Sequence, residues 1–158
     1  MATLKVEVPE NSQNILGTAE INAPLQKVFN AYVDKNLFPK WMGGGAKVEL
    51  HTFDAKSGGS FHITNTDAKG NNYDFCGSFH DVADNERIIW TFEFLGLPER
   101  GHVALEKMTF HKIDDNRTEI RTISTYQSQE DLKGMVESSM EDGWRQALDA
   151  LEKVALEE

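Results

Sequence analysis

From Ala46 to about Gln127 the chain reads as one strand after another, and from about Gln129 onward it switches to a helical period. Alternating apolar and polar residues mark a half-buried strand, whereas apolar positions three and four apart line one face of a helix. The best-defined strands are GGSFHITNTD, NYDFCGSFHDVA and RIIWTFEFLG, followed by HVALEKMTFHKI and RTEIRTISTYQ. The polar breaks between them are short, so neighbours pair as antiparallel hairpins. A sheet with one apolar face needs a cover. The closing segment SSMEDGWRQALDALEKVAL supplies it, with Met140, Trp144, Ala147, Leu148, Leu151 and Val154 on one side. Upstream, NILGTAEINAP reads as a strand entering a helix at Pro24, whose apolar stripe is Leu25, Val28, Phe29 and Tyr32. KNLFPKWMGGG then forms an irregular connection. The expected order is strand, helix, a meander of six strands and one long helix from about Gln129, an α+β plan with the helices on one face of an antiparallel sheet.

Turn chemistry sets the expected register. With Asp84 and Asn85 as a two-residue turn, Phe79 faces Trp90, Gly77 faces Phe92 and Phe75 faces Phe94. The DAKGNN turn likewise sets Phe61 near Phe79 and Ile63 near Gly77. One face therefore gathers Phe61, Ile63, Phe75, Phe79, Trp90, Phe92 and Phe94, joined by Met108 and Phe110 from the next strand and by Met140 and Trp144 from the covering helix. These eleven residues either close into a core or line an apolar pocket. Two glycines lie among them. Gly143 shares the buried stripe of the helix, where it costs about 1 kcal/mol relative to alanine. Either the bare backbone packs closely on a bulky neighbour there, or the missing side chain leaves room for a ligand. Gly77, inside a strand, raises the same choice.

The remaining composition narrows the function. A chain of 158 residues with 39% hydrophobic residues suits one domain, expected over residues 13–158 after a polar lead-in at 1–12. A net charge of −10 with dispersed basic residues argues against nucleic acid and anionic lipid as partners. No segment approaches the roughly 20 apolar residues of a membrane span, and MATLKVEVPENSQ lacks a signal pattern, so no membrane insertion and a cytoplasmic location are expected. Cys76 stands alone, which rules out an intrachain disulfide, and no histidine is placed to activate it. Phosphate-loop, dinucleotide, serine-hydrolase and zinc-protease motifs are absent, so no cofactor and no catalytic residue are assigned. His62 and His80 fall on the outer sheet face without a third ligand, and no metal site is expected from them. The apolar parity of HVALEKMTFHKI changes near Glu106, which predicts a bulge or twist there. Glu106 is also the only candidate for an acid or base hidden in a pocket.

Taken together, INAPLQKVFNAY, LFPKWMGGG, SGGSFHITNTDAKGNNYDFCGSFHDVADNERIIWTFEF and SSMEDGWRQALDALEKV resemble the SRPBCC superfamily, the START or birch-pollen-allergen-like helix-grip proteins. Within it they are similar to the family related to the activator of the 90-kDa heat-shock-protein ATPase. The resemblance runs from about Gly17 to the end. It implies a seven-stranded antiparallel sheet wrapped around the long C-terminal helix, two short helices after the first strand, and a cavity between sheet and helix that the superfamily uses for lipids, polyketides and flavonoid-like rings. Met42 stands where the family commonly has a second tryptophan, and Gly44 where proline is usual, which implies a looser loop at the cavity mouth. Eukaryotic chaperone activators carry a further N-terminal domain, and none is expected in these 158 residues. The expectation is thus a small hydrophobic or aromatic ligand. The alternatives are a co-chaperone-like module with an exposed patch near Trp41 and Met42, and a cyclase or hydrolase in which Glu106 meets the substrate.

Overall fold

Strand alternation builds a single antiparallel sheet in the computed structural model, which describes residues 1–157. Its strands are β1 (Thr3–Glu7), β2 (Asn14–Ile21), β3 (Lys47–Phe53), β4 (Ser60–Thr66), β5 (Asn72–Ala83), β6 (Arg87–Phe94), β7 (Val103–Asp114) and β8 (Arg117–Thr125). They lie in the order β1-β2-β8-β7-β6-β5-β4-β3. Between β2 and β3 come α1 (Leu25–Val33) and a 3-10 turn at Phe38–Lys40, and after β8 come α2 (Gln129–Glu137) and α3 (Met140–Glu157). This is the α+β helix-grip plan, with eight strands where seven were expected. The extra strand is β1, inside the polar lead-in, where it pairs with β2 from Thr3 opposite Glu20 to Glu7 opposite Leu16. Its charged residues suit an edge strand, which gains by repelling further pairing; Leu4 and Val6 alternate with Thr3, Lys5 and Glu7, a strand pattern inside the segment read as a polar lead-in.

Three further expectations are corrected. The covering helix is not continuous. Ser139 takes a left-handed φ of 61° between α2 and α3, and the Ser138 hydroxyl donates to the Met135 carbonyl at 2.6 Å, serving a carbonyl at the end of α2. The β4–β5 pair is shifted by two residues, with Phe61 opposite Gly77 and Ile63 opposite Phe75. Asp67 causes this by organising the loop: its carboxylate accepts from the Lys69 and Asn71 backbone N–H groups, both at 2.9 Å. A shift of two preserves the faces, so the aromatic residues still point inward. Finally, both ladders of β7 pass through Glu106 without a bulge. Parity changes because Leu105 points outward, 49% exposed, while Glu106 points inward.

The β5–β6 pair keeps its expected partners by a different route. Ala83 pairs with Arg87 across a three-residue turn, and a bulge between Phe79 and Asp81 then restores Phe79 opposite Trp90 and Phe75 opposite Phe94.

The core is divided unevenly along α3. Leu148, Leu151, Val154 and Ala155 in its C-terminal part are buried against the sheet and α1. Glu152 anchors that part: its carboxylate accepts from the Asn22 backbone N–H at 2.8 Å and meets the N-terminal amine at 3.2 Å. None of the residues from Met140 to Gln146 is fully buried. That end of the helix stands off the sheet.

Candidate functional site

Where α3 stands off, a cavity of about 390 Å³ opens between the helix, the sheet and the loop after the 3-10 turn. That is within the roughly 300–1,000 Å³ of small-molecule sites. Its floor is buried and includes Ile15, Tyr32, Trp90, Met108, Thr122, Ser124 and Tyr126, while its rim carries the exposed Met135, Gly143 and Gln146. Trp41, Met42, Gly43, Asn65, Phe75, Phe92, Glu106, Met140, Trp144 and Ala147 complete the wall. A second depression, about 490 Å³, lies around Glu99, His102, Ser128 and Asp131. Its wall is polar and charged, so it offers little apolar surface to a ligand.

Six of the eleven expected residues line the cavity: Phe75, Trp90, Phe92, Met108, Met140 and Trp144. The other five do not. Phe61, Ile63, Phe79 and Phe110 are packed solid behind it, each 5% exposed or less. Phe61 stacks against Trp90 at 5.5 Å, and Phe110 meets Phe29 and Tyr32 edge-on at 5.1 Å. Phe94 sits further along β6 against Phe75 and Tyr73. Sharing the inward face was therefore insufficient, because α3 covers only part of it closely.

The two glycines behave differently. A Cβ on Gly77 would overlap the Thr91 carbonyl and the Phe61 ring, so that glycine serves close packing. A Cβ on Gly143 would meet nothing within 4 Å. Close packing in the helix is served instead by Gly17 on β2, whose bare backbone receives the Trp144 ring.

Polar groups converge on the floor. Trp90 Nε1–H donates to Glu106 Oε1 at 2.8 Å, and the Ser124 hydroxyl donates to Glu106 Oε2 at 2.6 Å. A carboxylate has about four lone-pair positions, so acceptor capacity remains on both oxygens. Burial, reinforced by the Glu106 charge, pushes the Tyr32 phenol well above its ordinary range. The same causes raise Tyr126, with a hydrogen bond to Ser124 acting the other way. Both phenols stay protonated near neutral pH. Asn65 adds a buried Oδ1 with no hydrogen-bond partner. The site thus presents unused acceptors inside an apolar wall. Thr122, Ser124 and Tyr126 could have been found by continuing the inward parity of Ile120, and Asn65 by continuing that of Phe61 and Ile63. Their polarity masked them.

Elsewhere, Cys76 is a poor nucleophile: burial raises its thiol pKa, and the nearby Glu93 charge adds to the effect. Trp41, with Met42 the expected centre of an exposed patch, is 4% exposed. Its Nε1–H donates to the Ala31 carbonyl at 2.8 Å, and its ring stacks on Tyr32. Gly44, in the loop at the mouth, adopts φ of 61°, a left-handed conformation that proline cannot take.

A family model described as "Activator of Hsp90 ATPase homolog 1-like protein" matches residues 22–155. The chain belongs to this family. A solution structure from Arthrobacter aurescens superimposes with a TM-score of 0.87 at 21% identity, covering 98% of this chain and 92% of that one. A crystal structure from Mycobacterium smegmatis gives 0.85 at 19% identity over 98% and 96%, and a solution structure from Staphylococcus epidermidis gives 0.81 at 21% over 95% and 93%. Similarity at that identity establishes the shared fold. No curated protein matches the chain by sequence. Among the described residues, no helix is long and apolar enough to cross a membrane. Family and fold support a binding module, for a ligand or for a chaperone.

Proposed function

We propose that this protein binds, without catalysis, a small aromatic or otherwise apolar molecule that carries a hydroxyl or N–H donor, as hydroxylated polyketide and flavonoid-like rings do. The observation that carries this reading is the cavity floor, where Glu106 is held by Trp90 and Ser124 with acceptor capacity to spare, and where Asn65 Oδ1 is buried without a partner. The apolar wall supplies most of the affinity by removing the ring from water. The acceptors supply selectivity, because a ligand without a donor would leave them desolvated and unpaired. Burial of Trp41 favours this reading over chaperone docking at the loop. Catalysis finds less support, because the carboxylate is already held by two donors and the neighbouring Tyr32 and Tyr126 phenols are made poor acids by burial and by the Glu106 charge.

Titration with 2-naphthol and with 2-methoxynaphthalene tests the proposal, since the two differ chiefly in the donor. Trp90 and Trp144 report directly through their fluorescence. A charge-assisted hydrogen bond is worth about 1.5–3 kcal/mol, so 2-naphthol is expected to bind at least about tenfold more tightly. Equal affinities, or no saturable binding of either compound, would defeat the proposal.

A further inference from the structure

The outer face of the sheet carries a cluster separate from the cavity. β3 bulges at His51: Leu50 pairs with Ile63 and Thr52 with His62, leaving His51 as the extra residue. A bulge redirects a side chain. Here it brings the His51 ring beside that of His62, with centroids 4.7 Å apart. On the next strand Asp74 pairs with Thr64. The Thr64 hydroxyl donates to Asp74 Oδ1 at 2.5 Å and lies 2.7 Å from His51 Nε2, bringing that ring towards the carboxylate. One ligand atom from each of His51, His62 and Asp74 consequently lies within 4.8 Å of the other two.

We propose that His51, His62 and Asp74 form a binding site for a divalent transition-metal ion of the zinc type. Two imidazoles and one carboxylate are a donor set such ions accept, at about 2.0–2.2 Å from the metal. Two atoms at that distance from one ion are at most about 4.4 Å apart, so the cluster closes on the metal by small side-chain rotations. His62 Nε2 is buried and has no hydrogen-bond partner. Metal coordination is one way to satisfy such a nitrogen. Glu49 Oε2 lies 3.4 Å from His51 Nδ1, where a carboxylate orients a metal-bound imidazole through its other N–H. Three protein ligands leave a coordination position for water, and half-exposed His51 gives solvent access. The expectation of no metal rested on His62 and His80. His80 lies at the bulge in β5 and takes no part, whereas the bulge at His51 supplies a ligand that strand parity does not reveal.

The test uses the full chain after removal of metal by chelator and dialysis. Zn²⁺ is added in a calorimetric titration and Co²⁺ is followed by its visible absorption. One ion per chain is expected, with affinity lowered at least about tenfold by His62→Ala and by Asp74→Asn, and unchanged by His102→Ala. Imidazole NMR of the unmodified protein provides a readout that needs no variant: Zn²⁺ should shift the His51 and His62 ring signals and spare those of His80, His102 and His111. Absence of Zn²⁺ binding, shifts confined to the other histidines, or full affinity in folded His62→Ala and Asp74→Asn variants would overturn the assignment.

Discussion

Filling Gly143 separates a cavity wall from a packed helix contact. Its Cβ position meets nothing within 4 Å, and its φ is not among the positive values, so a side chain enters without backbone strain. Gly143→Ala then gains helix propensity, about 1 kcal/mol in a helix interior and less here in the first turn of α3. For a domain of this size, 1 kcal/mol moves the melting temperature by about 2–4 °C, so the expected rise is about 1–4 °C. Gly143→Leu keeps the propensity gain and adds apolar surface at the rim. Because Gly143 is exposed, the added contribution stays below the roughly 1.5 kcal/mol of a fully buried side chain. The leucine variant should therefore be at least as stable as the parent while binding 2-naphthol more weakly. A tightly packed helix would give the reverse, a loss of about 1–3 kcal/mol from overpacking. Thermal melts and fluorescence titrations of the parent and both variants decide it. An alanine variant destabilised by more than about 1 kcal/mol, or a stable leucine variant with unchanged affinity, would refute the reasoning.

Glu106→Gln should retain binding of 2-methoxynaphthalene while narrowing the preference for 2-naphthol, since the charge assisting the hydrogen bond is gone; paired titrations measure this directly. Gly17→Ala places a methyl group in the Trp144 ring, so a loss of about 1–3 kcal/mol and a red-shifted tryptophan emission are expected, checked by denaturant unfolding and fluorescence. Glu93 accepts hydrogen bonds from Arg100 Nε at 3.0 Å and the Gly101 N–H at 2.7 Å, which hold its carboxyl below the ordinary value of 4.5. A depressed carboxylate contributes stability that is present above 4.5 and is lost as pH falls through its folded-state value. The melting-temperature advantage of the parent over Glu93→Gln should accordingly persist at pH 6 and shrink below pH 4.5; an advantage that grows on acidification would contradict the assigned sign.

Inward parity on β5 and β6 was legible because Phe75, Phe79, Trp90 and Phe92 alternate cleanly with polar residues, and the face of each is independent of loop details. Register was less legible. A slip of two residues at the Asp67 loop leaves the alternation unchanged, and compensation between a longer turn and the bulge at His80 leaves no mark in the pattern. The break at Ser139 was hidden because Leu132, Val136, Met140 and Trp144 keep a four-residue spacing across it. At the site itself the rule of apolar inside and polar outside is inverted: Leu105 faces solvent while Glu106, Thr122 and Ser124 face inward. Such departures from pattern concentrate at sites shaped for something other than stability. The inversion near Glu106 was visible as a parity change, but parity alone did not separate a bulge from an inward carboxylate.

The methionines provide the most direct measurement of the cavity. Of the five in the chain, Met42, Met108, Met135 and Met140 line it, and Met1 does not. With ¹³C-labelled methionine methyl groups and 2-naphthol added to saturation, the Met108 signal from the floor and the Met140 signal from the helix should shift together along one binding curve, with Met1 unchanged. Shifts limited to the exposed Met135, or uniform drift of all five signals without saturation, would contradict a ligand held between the sheet and α3.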